Sequence, residues 1–432
     1  MAAGELSDAE HRKQLTRAVV ASTIGTAIEW YDFFLYSTIT GLVFAKLYFP
    51  QSEPLTGTLQ AFSIYFVGFI ARPIGAAIFG HYGDRIGRKA TLVATLVLMG
   101  VATFAVGLVP TYESIGIWGA VLLTVLRFIQ GIGVGGEWGG SILLAMEWAK
   151  TDKHRGFITS WPQFGVPVGL FLANLAVLAF SSMSGDAFLD WGWRVPFLLS
   201  IVLLGVGLYI RLGILETPTF TRLTNENKIA KAPVAEVIKK HPKEIILSGL
   251  ARIGQQSTFY IFTAFVFTYG THLGMPRDEL IQAVLVASMF SFFTVPFYGW
   301  LSDRWGRKRT YITGLAILAI YVFLYFGLLD TRIPLVVFMV IATSLIPHDM
   351  SYAPQGALVA EAFSGRLRYS GASLGYQLAS IMAGGPAPLI ATALLAKYNS
   401  GYPIAVYLAI CGVISIIATL FLPDMTNKKL ED

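Results

Sequence analysis

Twelve long apolar runs, separated by short polar stretches, make up most of this 432-residue chain. Each run reaches the roughly 20 residues that a helix needs to cross the hydrocarbon core of a bilayer. The pattern therefore predicts an all-α integral membrane protein with twelve transmembrane helices. The approximate limits of the runs are 18–45, 57–80, 90–109, 115–146, 156–181, 195–215, 244–272, 280–301, 310–328, 333–360, 368–396 and 401–422.

Two of the polar stretches carry the same motif, G-x-x-x-D-R-x-G-R-K. It occupies residues 80–89 and recurs at residues 299–308, about half the chain later. The longest polar stretch, 217–243, lies between the sixth and seventh runs. We therefore expect two pseudo-symmetric six-helix bundles, 1–216 and 244–432, joined by a cytoplasmic linker at 217–243. Duplicated membrane halves of this kind are typical of secondary transporters.

Charge is scarce in this chain and unevenly placed. Charged residues make up 13% of it, against roughly 25% in soluble domains, and hydrophobic residues make up 55%. If the N-terminus is cytoplasmic, 24 of the 32 lysine and arginine residues lie on the cytoplasmic side, which is the positive-inside pattern. The net charge of +6 is thus explained by topology, and we expect no nucleic-acid partner. Both termini are predicted to be cytoplasmic.

Motifs for enzymatic chemistry are missing from the sequence. There is no G-x-x-x-x-G-K-[ST] phosphate loop, no H-E-x-x-H zinc motif and no G-x-S-x-G elbow. The single cysteine, Cys411, lies inside an apolar run and is expected to be a small core residue. We therefore expect no enzyme activity, no cofactor and no metal.

Several motifs resemble those of the major facilitator superfamily. The duplicated motif is the signature of its loops after the second and eighth helices, and residues 127–133 read R-x-x-Q-G-x-G, as in its fourth helix. One branch is more similar still, the metabolite:proton symporters, which include permeases for shikimate, α-ketoglutarate, citrate and proline/betaine. The motifs that carry the branch resemblance are E-W-Y-D-F at 29–33, R-P-I-G-A at 72–76, G-G-E-W-G-G at 135–140, W-G-W-R-V-P-F at 191–197 and E-T-P-T-F at 216–220. Thr26 departs from the branch, where many members have asparagine.

Charged residues inside the apolar runs are the first functional candidates, because a charge at the bilayer centre costs at least ~2.5–3.5 kcal/mol. Glu29 and Asp32 are three residues apart and share one face of the first helix. We expect Asp32 to pair with Arg127 and to take up a proton when the arginine turns toward an anionic substrate. Glu29 is the second proton-coupling candidate. The alternative is a fixed ion pair that only holds helices together.

Arginines suit the binding of a substrate carboxylate, because the guanidinium forms paired hydrogen bonds with it. Arg127 and Arg252 are the main candidates, and Arg72 is either a third or an interhelical packing residue. Polar and aromatic residues at similar depth complete the predicted substrate site, although such side chains often only pack: Tyr31, Gln163, Gln256, Tyr260, Tyr376 and Gln377. His348 and Asp349 are either a second proton site or hydrogen-bonded residues at a helix break.

A second charged cluster is expected at the cytoplasmic ends of the helices. Its acids and bases occur at matching places in the two halves, so salt bridges between them are predicted to close that side. The predicted gating residues are Gly80, Asp84, Arg88, Glu147, Arg155, Asp303, Arg307, Glu361 and Arg368.

The resemblance implies a symporter that imports a small organic acid, a mono- or dicarboxylate, together with a proton. Its partners would be the small organic anion, the proton and the lipid bilayer of a bacterial inner membrane, and it would function as a monomer. The alternatives are a symporter of zwitterionic osmolytes such as proline or betaine, and a nutrient sensor that binds without transporting.

The first prediction concerns topology. Tags at the N-terminus, at the C-terminus and within residues 222–243 should be reachable only from the cytoplasmic side of intact cells, because lysine and arginine favour that side. Protease or thiol-reagent accessibility measures this. A periplasmic location for any one tag would rule out twelve spans with both ends inside.

Overall fold

The computed structural model describes residues 7–149 and 152–429, and this part of the chain is built from helices. Ten of its helices are long and apolar enough to cross a membrane. They are Pro54–Ile86, Arg88–Val106, Trp118–Glu147, Arg155–Phe188, Gly192–Leu212, Arg277–Trp305, Arg307–Leu329, Pro334–Ala360, Arg368–Tyr398 and Tyr402–Phe421.

Two further long helical segments start the two halves. One runs over Asp8–Ile39 and continues through a π-helical turn at Thr40–Phe44 into Ala45–Tyr48. The other comprises Pro242–Tyr260, a π-helical turn at Ile261–Phe265, and Val266–His272. Both carry charged or amide side chains near their middle, which lowers their apolar character. The twelve segments are numbered span 1 to span 12 in chain order, and they confirm the all-α fold with twelve helices in two bundles.

The predicted linker, residues 217–243, contains regular secondary structure. It contains two short helices, Pro218–Asn225 and Pro233–Lys240. In the second helix Val237 is buried, and it packs in one apolar cluster with Trp138 and Phe363 from the two halves. The division at 217–243 into separate units stays a prediction.

Each copy of the duplicated motif contains the end of one span and the start of the next. Span 2 ends at Gly87 and span 8 ends at Gly306, with φ values of 115° and 106°. Side chains disfavour that backbone region, so glycine is needed at the turn. Spans 3 and 9 begin at the next residue. The turn therefore fixes the motif's aspartate and its second arginine on adjacent helix ends.

Glycines bring spans 2 and 4 into backbone contact. A Cβ atom on Gly135 would lie 2.0 Å from the carbonyl oxygen of Arg72, and one on Gly131 would lie 2.1 Å from that of Gly68. Small residues at such positions let membrane helices approach closely. This contact places the arginines of the two helices, Arg72 and Arg127, side by side.

The two halves meet mainly through span 5 against span 8 and span 2 against span 11. These are equivalent pairs, because span 8 corresponds to span 2 and span 11 to span 5. The interface thus follows the pseudo-symmetry, and the duplicated motif lies at one of its ends. We call this end the motif face and the opposite end the far face.

The glycine contact gives the second prediction. Gly135→Ala should destabilise the protein by about 1–3 kcal/mol, because its methyl group has no room against span 2. Gly327→Ala is the matched control, since no atom lies within 4 Å of a Cβ there. Thermal unfolding in detergent compares the two, and equal melting temperatures would contradict backbone contact between spans 2 and 4.

Candidate functional site

Two buried arginines, Arg72 and Arg127, pack among aromatic rings and share contact with the Phe33 ring. The Cζ atom of Arg72 is 4.3 Å from the centroid of the Phe33 ring and 4.2 Å from that of Phe69. The Cζ atom of Arg127 is 4.5 Å from the same Phe33 ring and 4.5 Å from the Tyr36 ring. Each arginine is 1% exposed. Cation–π contacts of this kind stabilise a desolvated guanidinium by about 2 kcal/mol.

Neither arginine has an acidic partner among the described residues. Nε and Nη2 of both Arg72 and Arg127 are buried without a hydrogen-bond acceptor. Arg72 Nη1 donates to the hydroxyl of Tyr260 at 3.3 Å, across to the opposite half. Both guanidiniums contact the same Phe33 ring, so two like charges are buried within one cluster. A buried pair of like charges with unused donors requires an anion for full stabilisation.

The expected ion pair between Asp32 and Arg127 is wrong for this structure. Instead Arg127 Nη1 donates to Gln130 Oε1 at 3.1 Å, and Gln130 Nε2 donates to Thr103 Oγ1 at 2.7 Å. Thr103 in turn lies at the Asp32 carboxyl group. The physical reason is that Gln130, one turn along from Arg127, fills the gap toward span 3. Arginine and acid are therefore connected by a bridge of two neutral side chains.

Glu29 has a partner that the sequence did not reveal. Its Oε1 lies 2.8 Å from Nη1 of Arg211 in the last turn of span 6. Sequence reasoning counted Arg211 with the cytoplasmic charges, but it is 1% exposed. Tyr31, a predicted substrate residue, instead donates its hydroxyl to the Pro196 carbonyl within its own half at 2.7 Å. The structure therefore does not bring Tyr31 or Glu29 to the pair of central arginines.

Arg252 lies in the other half and is already engaged there. Its Cζ is 3.1 Å from the centroid of the Tyr376 ring, Nη1 donates to the Tyr376 carbonyl and Nε donates to Gln355 Oε1 at 3.0 Å. Gln256 carries a buried Oε1 without a partner. Nε and Nη1 of Arg252 therefore have acceptors, whereas Nε and Nη2 of Arg72 and Arg127 have none among the described residues.

A layer of side chains crosses from one half to the other beside Arg252. The rings of Trp138 and Tyr376 stack at 3.5 Å with 13° between their planes. Trp138 Nε1 donates to Gln163 Oε1 at 2.9 Å, and Gln163 Nε2 donates to the Tyr352 carbonyl at 2.9 Å. Gln377 Nε2 reaches the Val134 carbonyl at 3.4 Å. Gln163, Tyr376 and Gln377 therefore join the two halves here.

His348 and Asp349 form a buried pair, with 3.0 Å between Nδ1 and Oδ1. Nε2 of His348 lies 2.7 Å from Gln255 Nε2, and Thr294 Oγ1 donates to Asp349 Oδ2 at 2.5 Å. The side-chain amide nitrogen of Gln255 therefore faces Nε2 of His348, and Asp349 faces its Nδ1. Both alternatives for this pair remain open.

At the motif face, each motif aspartate caps a helix of the opposite half, and we call these two contacts, made by Asp84 and Asp303, the crossed caps. Asp84 Oδ2 accepts from the backbone N–H and the hydroxyl of Ser370, at 3.0 and 2.8 Å, in the first turn of span 11. Asp303 accepts from the N–H groups of Gly156 and Phe157, both at 2.8 Å, in the first turn of span 5. A carboxylate at a helix N-terminus satisfies free N–H groups and the helix dipole.

Salt bridges extend this closure. Arg88 pairs with Asp84 and Glu147, both at 3.3 Å, within the first half. Arg155 of the first half and Arg307 of the second share Glu361, at 2.6 and 2.9 Å. Two further predicted gating residues lie here as well. A Cβ on Gly80 would come 3.0 Å from Ser370 Cα, and Arg368 Nε donates to the Phe363 carbonyl at 3.1 Å.

The C-terminal residues also lie on this network, which no sequence motif indicated. Arg155 Nη2 donates to the carbonyl of Lys428 at 2.7 Å and to that of Met425 at 3.2 Å. The side chain of Thr426 accepts from the Arg307 N–H at 3.1 Å, and Asn427 donates to the Asp303 carbonyl at 3.3 Å. The segment thus ties span 5 of one half to the second motif of the other half.

The far face is open by comparison. A cavity of about 800 Å³ lies between the halves there. Its walls come from the end of span 1 and the start of span 2 on one side, with Lys46 and Ser52. The end of span 7 and the start of span 8 form the other side, with Thr271, His272 and Arg277. The motif face is therefore closed, and the cavity at the far face ends short of Arg72 and Arg127, which are not among its walls.

Comparison with known proteins decides the family. Residues 17–246 match the family described as Sugar (and other) transporter, and residues 246–431 match the Major Facilitator Superfamily. The first match alone covers more than half of the chain. This chain belongs to the major facilitator superfamily. It is therefore a membrane transporter of that superfamily and not an enzyme, and the predicted family resemblance is confirmed.

Among major facilitator proteins, the relatives include two from Escherichia coli (strain K12). The shikimate transporter is 41% identical over 414 residues, which cover 94% of each chain. Inner membrane metabolite transport protein YhjE is 39% identical over 421 residues, 96% of this chain and 95% of that protein. The xylose transporter XylE from E. coli, solved in a partially occluded inward-open conformation, matches with a TM-score of 0.75 at 19% identity. The match covers 97% of this chain and 100% of that one.

The third prediction follows from the crossed caps. Asp84→Asn removes the charge that stabilises span 11, so the closed motif face should lose about 0.5–2 kcal/mol. Turnover should fall more than substrate affinity, because the change acts on the conformational equilibrium. Asp186→Asn, an exposed residue away from the motif face, is the control. Transport kinetics and equilibrium binding on the same preparations measure both effects. Loss of binding with normal turnover would show that Asp84 is not a gate residue.

Proposed function

We propose that this chain is a proton-coupled symporter that imports a small organic acid by alternating access. The observation that carries the proposal is the pair of buried arginines, Arg72 and Arg127, which have unused donors and no acidic partner in the described part of the chain. A substrate carboxylate between them would accept those donors and balance the two charges. The similarity to a shikimate transporter supports a substrate of this class, a hydroxylated monocarboxylate, with dicarboxylates as the other candidates.

The position of the cavity supports the direction of transport. The motif face is closed and the far face holds the cavity, as expected of an outward-facing state if the motif face is cytoplasmic. Binding would let the halves rock about the central layer, so that the crossed caps open. We assign residues 1–216 and 244–432 as the two moving units of one monomer in a bacterial inner membrane.

The bridge from Arg127 to Asp32 supports proton coupling. Thr103 has one hydroxyl proton, which it donates either to the Met99 carbonyl, 3.0 Å away, or to Asp32. An ionised Asp32 attracts that proton, whereas a protonated Asp32 can donate to Thr103 instead. A substrate that draws Arg127 away from Gln130 frees this chain to rearrange. Binding of the anion and protonation of Asp32 would then favour each other.

A zwitterionic osmolyte would need a binding site with different chemistry. Its cationic group would need an acid or a free aromatic cage beside the carboxylate site. The rings of Phe33, Phe69 and Tyr36 already face guanidiniums, so the geometry favours an acid over betaine or proline. A sensor that binds without transport has no specific observation in its favour. Uptake assays with both substrate classes separate these alternatives.

The fourth prediction tests coupling in proteoliposomes, with shikimate first and then other carboxylates and betaine. Asp32→Asn mimics the protonated side chain, so it should abolish accumulation driven by a pH gradient and keep exchange between the two sides. Arg127→Ala should lose both activities, because it removes the carboxylate site as well. Asp190→Asn, which is exposed, is the control. Full pH-driven accumulation by Asp32→Asn would show that another group carries the proton.

A further inference from the structure

A second cluster of buried charges lies inside the first half, nearer the motif face. Arg211 of span 6 contacts Glu29 of span 1 at 2.8 Å and Glu137 of span 4 at 3.4 Å. All three side chains are at most 2% exposed. Arg211 also donates to the Leu92 carbonyl at 2.5 Å. Two acids therefore share one base, and the cluster would carry one net negative charge if both acids were ionised.

Burial makes that net charge costly, so the cluster has reason to hold a proton. The hydrogen bonds show which acid holds it. Glu137 Oε1 accepts from Thr26 Oγ1 at 2.9 Å, from the hydroxyl of Ser141 and from Arg211. Glu29 Oε1 accepts from Arg211, and its Oε2 is buried with no partner. Donors stabilise the ionised form. Glu137 has three donors and Glu29 has one, although the one on Glu29 is the closer contact of Arg211, so the number of donors favours Glu137 as the carboxylate and Glu29 as the acid that takes the proton.

Span 11 of the opposite half covers the cluster. Tyr369 donates its hydroxyl to the Gly136 carbonyl at 2.7 Å, and its ring fills the space left by Gly83 of the first motif. Tyr369 and Tyr376 are the titratable groups that face the cluster from this span, and Asp32 lies three residues further along span 1. Tyr369 also lies near Arg88 and Asp84 of the gate. Separation of the halves at the motif face would therefore uncover the cluster.

We propose that Glu29, Arg211 and Glu137 form a second proton-binding site, with Glu29 as the proton carrier and Tyr369 as its cover. The cluster binds one proton while the motif face is closed and exposes it to the cytoplasm when span 11 withdraws. Movement of this proton during transport rests on the proposed proton coupling. The presence of the proton at Glu29 is independent of the proposed coupling.

Infrared spectroscopy of the full-length protein tests the site in an Asp32→Asn background, which removes the other candidate carrier. The spectrum at neutral pH should contain the C=O stretch of a protonated carboxyl group that Glu29→Gln abolishes. Glu137→Gln should abolish the same band, because one acid facing one arginine is ionised. The proposal is overturned if Glu29→Gln removes only carboxylate bands, or if the protonated band persists in Glu137→Gln.

Exchange into D₂O tests the cover. The carboxyl band of Glu29 should shift slowly in the parent protein and several-fold faster after Asp84→Asn, which loosens the motif face. Asp186→Asn should exchange at the parent rate. Equal rates in all three would show that span 11 does not control access. These outcomes are independent of uptake, so a failed coupling assay and an absent proton at Glu29 are distinguishable.

Discussion

Two like charges buried in the interior are the constraint on which the rest of this structure depends. Arg72 and Arg127 are adjacent because glycines of spans 2 and 4 let the two backbones touch. Aromatic rings supply partial compensation, and Tyr260 connects the pair to the opposite half. The two positive charges are still not balanced by a negative charge. A bound anion supplies that charge, so it binds more tightly to the state in which the halves close around it. A transporter requires such a difference in affinity between its states.

The centre and the motif face are linked through the same helices. Span 11 carries Tyr376, which packs on Arg252, and Ser370, whose N–H is capped by Asp84. Span 4 carries Arg127 at its middle and Glu137 nearer the gate. A shift of either helix therefore changes the central layer, the buried acids and the crossed caps together. Exposed ion pairs contribute little to stability individually. The ion pairs at the motif face are buried and linked to one another, so losing all of them together can reverse a conformational equilibrium whose two states differ by a few kcal/mol.

The sequence predicted the parts that depend on local pattern. Apolar runs predicted the spans, and the duplicated motif predicted that Asp84, Asp303 and their arginines would meet at one face. Which side chains form hydrogen bonds and ion pairs between helices was less predictable. Nothing in the pattern indicates that Gln130 comes between Arg127 and Asp32, or that Arg211 of span 6 points inward to Glu29. Those pairings depend on helix rotation and depth, which charge counting along the chain does not contain. Arg155 binds backbone carbonyls of residues 425 and 428, and a carbonyl group is the same whatever the side chain, so the sequence gives no indication of these contacts.

The central claim is that two guanidiniums bind a carboxylate. Calorimetric titration of the purified protein with a transported acid, and with the methyl ester of that acid, tests it most directly. The ester keeps the shape of the acid but loses the charge and the paired acceptor oxygens. Charge-assisted hydrogen bonds contribute about 1.5–3 kcal/mol each, so two of them predict binding of the ester weaker by about 100-fold or more. Binding of the ester as tightly as the acid would contradict the account.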